Sequence, residues 1–319
     1  MPSVVRSRWW RRLGARALLV LVGAVAVSEF SATLVMTVNL RGSTPGPPTE
    51  LSVAAASQGG IRAIEIVGTD GMVLRGEVMG DPSTRPAVIF AHGYRNTRRN
   101  GDRLAQRLLE QGYSVVSFDF RGSGSSQGVL TGGGAVEGAD VVAVARAVRD
   151  RFKVAPSRTA IVGFSMGAVA VIEAAPHLST LAGVVLIAPY ANLEETIDAR
   201  TRRWLHVPAR PLLSPALWAA SVLLGVDPRK VLPEQHVGQL SPSPLLLVGS
   251  SRDWRAPTDV IERIRRCAGD PKETLVLDGL THDELGRFPP ALGDPILTFL
   301  EHAFADVPPP ETTPNSEAR

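Results

Sequence analysis

Between residues 87 and 305 the chain alternates short apolar runs with helix-patterned stretches, and this alternation constrains its fold more than any other feature. Ala87–Phe90, Ser114–Phe118, Thr159–Val162, Gly183–Ile187, Leu245–Val248 and Glu273–Leu277 are short, mostly aliphatic runs of the length and composition of strands. Leu104–Gln111, Val136–Phe152, Met166–Pro176, Pro257–Cys267 and Pro295–Ala305 lie between or after them with helical patterning. A strand followed by a helix and another strand joins parallel neighbours, so the expected fold class is α/β, a mostly parallel central sheet with helices on both faces. Ahead of this region Ala63–Val67 and Val73–Val78 flank Asp70-Gly71, a hairpin signal. Residues 191–240 break the rhythm with Trp204, His206, Pro208, Pro211, Pro215, Trp218 and the apolar stretch Leu217–Val226. That segment is too long for an ordinary connection. It reads as a mostly helical cap inserted after the sixth strand of the core.

The ends of the chain read differently from its middle. Residues 1–40 form a targeting segment: Trp9-Trp10-Arg11-Arg12 precedes Ala17–Leu40, which carries one charge, Glu29. A stretch of roughly 20 apolar residues suffices to span a bilayer, and arginines ahead of it with only Arg41 just after it keep the N-terminus cytoplasmic. The segment is an uncleaved anchor or a cleaved secretory peptide with Ala24-Val25-Ala26 as its cleavage site. Either way the remainder is expected outside the cytoplasm, tethered to the membrane or secreted. Residues 41–60 read as a Pro/Gly/Ser linker, 61–305 as the globular domain and 306–319 as a disordered tail.

Composition removes several function classes. The net charge of +3 points toward nucleic acid until its position is considered. Without Arg6, Arg8, Arg11, Arg12 and Arg16 the chain has fewer basic than acidic residues, 29 against 31. No nucleic-acid partner is expected. The one cysteine, Cys267, rules out a disulfide framework, a Cys-based zinc site and a thiol redox pair.

Gly163-Phe164-Ser165-Met166-Gly167 matches G-x-S-x-G between an expected strand and an expected helix, the context of a nucleophile elbow. A serine hydroxyl needs a base within hydrogen-bond reach, and the base needs an orienting acid. Two late strand ends supply them in the order acid then histidine: Asp253 in Gly249-Ser250-Ser251-Arg252-Asp253, and His282 in Asp278-Gly279-Leu280-Thr281-His282. Asp278 and Asp283 are rival acids, and Asp253 could instead cap the helix after Pro257. The other histidines, His92, His177, His206, His236 and His302, are poorer candidates by position. An oxyanion intermediate needs two amide donors. The residue after the nucleophile, Met166, and the loop after the third strand, through the Tyr94 N–H beyond Gly93, are the expected sources. Arg95, Arg98, Arg99 and Arg103 follow that loop and read either as a solvated helix start or as a site for an acidic substrate group or anionic lipid headgroup. The apolar cap reads either as an acyl-chain pocket or as packing on the core.

The segments VIFAHGY (Val88–Tyr94), SFDFRGSGS (Ser117–Ser125), AIVGFSMG (Ala160–Gly167), LLLVGSSRDWRAP (Leu245–Pro257) and Leu275–His282 resemble, in order, the α/β-hydrolase superfamily. Its lysophospholipase, monoacylglycerol-lipase and serine-aminopeptidase-like branch is the most similar. The resemblance implies Ser165, Asp253 and His282 as a triad with Tyr94 and Met166 as oxyanion donors, in agreement with the chemical argument. It also implies that Asp119-x-Arg121-Gly122-x-Gly124 is a structural turn below the site. Arg255 departs from the pattern, standing where the family usually has an apolar residue. The expected function is hydrolysis of a small-molecule or lipid carboxylic ester through an acyl-enzyme, with no cofactor or metal. A serine peptidase, a thioesterase and a non-catalytic extracytoplasmic binding module are the alternatives.

Overall fold

The computed structural model describes residues 60–206 and 210–305. The anchor or signal expected at 1–40, the linker at 41–60 (all but its last residue) and the tail at 306–319 lie outside the described residues.

Eight strands form one sheet in the order β1-β2-β4-β3-β5-β6-β7-β8. β1 (Ile61–Val67) and β2 (Val73–Met79) pair as an antiparallel hairpin across the Asp70-Gly71 turn. β2 runs antiparallel to β4 (Ser114–Phe118). From there β3 (Ala87–Ala91), β5 (Thr159–Phe164), β6 (Gly183–Ile187), β7 (Leu245–Ser250) and β8 (Lys272–Leu277) are all parallel to their neighbours. β3, β4, β5, β6 and β7 are buried on both faces, which explains why they appear as continuous apolar runs. β8 is the edge, and its polar Lys272, Glu273 and Thr274 suit an unpaired margin.

Alternation within each strand divides the core. Ile89, Ile161, Val184, Leu186 and Leu247 face one side, where α2 (Glu137–Phe152), α3 (Met166–Ala174) and α7 (Thr258–Cys267) pack. Val88, Phe90, Val162, Val185 and Val248 face the other, covered by α1 (Asp102–Glu110) and α9 (Pro290–Phe304). The remaining helices are α4 (Leu193–Leu205) and α5 (Arg210–Leu224) between β6 and β7, then the single turns α6 (Pro233–His236) and α8 (His282–Leu285). The segment expected as a cap is therefore mostly helical where it is described.

One element differs from its sequence expectation in a way that has a physical cause. The last helix begins at Pro290, five residues before Pro295, and holds Pro295 in its interior. Proline removes one helical hydrogen bond. Burial of Leu292, Gly293, Ile296, Phe299, Leu300 and Phe304 along one stripe compensates for it.

Candidate active site

β5 ends at Phe164 and α3 begins at Met166, so Ser165 alone makes the turn. Its φ of 53° with ψ of −115° is a conformation that a non-glycine residue holds only when its surroundings enforce it, at a cost of about 1–3 kcal/mol. The Ser165 N–H donates to the Ile187 carbonyl at 2.8 Å, tying the elbow to β6. The flanking glycines remove atoms that the turn has no room for. A Cβ on Gly163 would stand 2.7 Å from the Ala168 Cα, and one on Gly167 would overlap the Ala91 carbonyl oxygen. The N-terminus of α3 can therefore press directly against the end of β3.

Asp253 and His282 arrive from the ends of β7 and β8, and the Ser250 hydroxyl, donating to the Leu280 carbonyl at 2.6 Å, joins the two loops. Asp253 is 2% exposed and uses both carboxylate oxygens. Oδ1 accepts from the Arg255 and Ala256 amides at 2.9 and 3.1 Å, and Oδ2 lies 2.7 Å from His282 Nδ1. His282 opens α8, whose start is held by a capping box between Thr281 and Glu284. Its ring lies 5.1 Å, centroid to centroid, from that of Phe164. Its Nε2 is 2.9 Å from Ser165 Oγ. A carboxylate can only accept, so Nδ1 carries the proton and Nε2 is left to accept from the serine hydroxyl.

The rival acids are otherwise engaged. Asp278 accepts from the Ser251 hydroxyl at 2.6 Å, and Asp283 pairs with Arg255 at 2.6 Å. Asp253 does not cap α7, whose N-cap is Pro257. It nevertheless folds its own loop, because the two amides it accepts from belong to that loop.

The two expected amide donors are those of Met166 and Tyr94. Met166 is the first residue of α3, where an N–H has no acceptor within the helix. Tyr94 lies in the turn closed by the Asn96 N–H donating to the Gly93 carbonyl at 3.1 Å. His92 holds this turn from beneath. It is fully buried, its Nε2 accepts from the Phe120 N–H at 3.0 Å and its Nδ1 donates to the Gly93 carbonyl at 2.8 Å. Burial pushes the His92 pKa below its ordinary value, which keeps the ring neutral and able to make both bonds.

The arginine cluster after this loop is not a free anion site. Arg98 donates to Asp119 through its backbone and its guanidinium, and reaches Glu77 at 3.1 Å. Arg99 donates to Glu77 at 2.8 Å. Asp119 is fully buried and also accepts from the Ser125 amide. The Asp119–Gly124 turn is thus a packed, charge-balanced floor. Arg95 and Arg103 are exposed.

Three features were not read from the sequence. Buried Glu137 accepts from the Thr131 hydroxyl and the Gly132 and Gly134 amides, gathering a glycine loop whose Thr131 touches the Met166 sulfur at 3.3 Å. Tyr190, three residues past the end of β6, is buried against Val169 one turn beyond Ser165. Trp254, beside Asp253, meets Arg203 of α4 and Arg255 at 5.0 and 5.3 Å from its ring centroid. Aromatic or acidic character alone did not separate these residues from ordinary core and surface positions.

Comparison with known proteins agrees with this architecture. Residues 82–240 match the family described as serine aminopeptidase, S33. That span contains Ser165 and stops short of Asp253 and His282. An uncharacterized protein of Mycobacterium tuberculosis is 28% identical over 242 residues, covering 75% of this chain and 77% of the relative. The uncharacterized protein YqkD of Bacillus subtilis is 26% identical over 214 residues, 66% of this chain and 70% of that one. Among solved structures, an esterase of Pyrococcus furiosus superposes with a TM-score of 0.64 at 24% identity, covering 82% of this chain and 98% of the esterase. The sheet order, the serine turn on the fifth strand and these likenesses together give the chain the α/β-hydrolase fold.

Proposed function

We propose that the chain is a serine hydrolase that cleaves a carboxylic ester through an acyl-enzyme. The observation that carries the reading is the continuous run Asp253 Oδ2 to His282 Nδ1, 2.7 Å, and His282 Nε2 to Ser165 Oγ, 2.9 Å. His282 takes the proton of the Ser165 hydroxyl as Oγ bonds to the ester carbonyl carbon. The carbonyl oxygen becomes an oxyanion, held by the Met166 and Tyr94 amides and by the N-terminal end of α3. His282, now an imidazolium steadied by Asp253, gives its proton to the departing alkoxide. Water then repeats the sequence on the acyl-enzyme, with His282 taking its proton, and releases the carboxylic acid and free Ser165. No step calls for a cofactor or a metal.

A second reading has support in the matched family's description, serine aminopeptidase. An aminopeptidase must hold a free ammonium group beside the scissile amide, which calls for an available carboxylate. The acids near His282 that could serve are tied up, Asp278 by Ser251 and Asp283 by Arg255. This favours the ester. Hydrolysis of p-nitrophenyl esters from acetate to palmitate, measured beside an aminoacyl p-nitroanilide, tests the choice. Ester turnover that Ser165→Ala abolishes is the expected result, and faster cleavage of the amide would reverse the assignment.

We further propose that residues 17–40 tether this domain to the extracytoplasmic face of the membrane. The reading rests on the length of the apolar run and the arginines preceding it. Among the described residues no helix is long and apolar enough to cross a membrane. The intact mass of protein recovered from washed membranes tests the tether. Residues 1–40 should be retained, and a mature N-terminus near Val27 would show a cleaved signal instead.

A further inference from the structure

Arg255, where the sequence departs from the family it resembles, belongs to a cationic cluster around Trp254, on the loop that carries Asp253. Trp254 directly follows the acid Asp253, and its half-buried indole is approached by two guanidinium groups. Arg203 comes from α4 at 5.0 Å from the ring centroid, and Arg255 from the acid loop at 5.3 Å. These distances keep the two cations within about 10 Å of each other. Arg255 shares its charge with Asp283, the neighbour of His282. Arg203 is exposed and meets no carboxylate among the described residues, whereas the adjacent Arg202 pairs with Asp198. Two cations beside one indole thus meet one carboxylate. The contrast with Arg98 and Arg99 is direct, since those are neutralised from within by Asp119 and Glu77.

The position of this cationic rim assigns its role. Trp254 and Arg255 are in the loop that carries Asp253, and Arg255 is bonded to the residue after His282. The leaving alcohol of an ester must come within hydrogen-bond reach of His282 Nε2 to receive its proton. The alcohol portion therefore departs on the His282 side. We propose that Arg203, Trp254 and Arg255 recognise a negatively charged group, carboxylate or phosphate, on the alcohol portion of the substrate. The assignment rests on the serine-hydrolase reading and narrows its substrate class to esters with an anionic leaving alcohol. Guanidinium groups bind both oxyanions in the same forked geometry, and the indole supplies a flat apolar surface for the atoms joining anion to ester.

The test compares matched butyrate esters: 3-(butanoyloxy)benzoate against its methyl ester, and the butyrate ester of glycerol 3-phosphate against that of glycerol. In the wild type kcat/KM is expected to be higher for each anionic ester, and the advantage to shrink between low salt and 0.5 M NaCl. Arg203→Gln and Arg255→Gln should each lower the anionic-to-neutral ratio by about fivefold, the size expected for one partly exposed charge contact. Arg203→Lys should retain part of the preference, and Arg265→Gln, a charge removed elsewhere on the surface, should leave the ratio alone. A ratio at or below one for both pairs in the wild type, or a ratio unmoved by Arg203→Gln and Arg255→Gln, overturns the rim assignment while ester turnover upholds the hydrolase. A preference shown by only one anionic ester of the pair identifies which oxyanion the rim takes. Absence of turnover with all four esters, together with failure of Ser165 to react with a fluorophosphonate, overturns the hydrolase reading and the rim with it.

Discussion

Replacing Asp253 with Asn separates the two jobs that this carboxylate performs. Oδ1 accepts from the Arg255 and Ala256 amides, and Oδ2 accepts from His282. An Asn side chain offers one acceptor oxygen and one NH2 donor. If the oxygen stays with the two amides, the NH2 faces His282 Nδ1. The ring must then accept there and carry its proton on Nε2, the atom that has to accept from Ser165. If the amide flips to restore the productive tautomer, its NH2 faces two N–H donors in a buried pocket. Each unsatisfied buried donor costs about 1–3 kcal/mol, so the flip costs about 2–6 kcal/mol. At about 1.4 kcal/mol per factor of ten, the productive form is reduced by about 30-fold to 10⁴-fold, and kcat should fall accordingly; loss of the correct tautomer in a triad of this kind costs about 10⁴. The side-chain volume is unchanged and both amides keep their acceptor, so thermal stability should stay within about 1 kcal/mol of wild type. Initial rates with p-nitrophenyl butyrate and a thermal melt measure the two quantities. A kcat loss below tenfold with an unshifted melt would refute the tautomer argument.

Two further substitutions probe the elbow and its support. Gly167→Ala places a methyl group against the Ala91 carbonyl, which is backbone and cannot yield cheaply. We expect a loss of about 1–3 kcal/mol in a urea melt and a drop in kcat larger than in KM, because the shifted N-terminus of α3 carries the Met166 donor. Equal kcat in a folded variant would argue against this packing. His92 is held neutral by burial, so its folded pKa lies below the unfolded value of about 6.5. Its contribution to stability is complete above about pH 6.5 and is lost as pH falls toward the folded pKa, at no more than about 1.4 kcal/mol per pH unit. Unfolding free energies of wild type and His92→Gln between pH 5 and 7.5 should show a shallower acid decline in the variant, and parallel curves would contradict it.

Much of this molecule is legible in its sequence because local chemistry and tertiary structure agree. Ser114–Phe118 and Gly183–Ile187 coincide with β4 and β6, since strands buried on both faces must be apolar throughout. The elbow is readable because its two glycines are demanded by backbone crowding that any such turn shares. Asp253 and His282 are readable because they follow the last two strands in the order the chemistry needs. The start of α9 was hidden by Pro295, a local signal that the buried stripe from Leu292 to Phe304 overrides. The fate of Arg98 and Arg99 was hidden for another reason. Their partners, Glu77 and Asp119, come from β2 and from the end of β4, and nothing near the arginines in sequence announces them. Side-chain pairing between distant elements is set by topology, and the same holds for Arg203 and Trp254.

The central claim is that the Ser165 hydroxyl is activated by His282. Intact-mass and peptide mass spectrometry after treatment with a fluorophosphonate tests it most directly. One adduct per chain is expected, located on the peptide containing Ser165, absent from Ser165→Ala and formed far more slowly in His282→Ala. An adduct elsewhere, or one that persists when Ser165 is replaced, would contradict it.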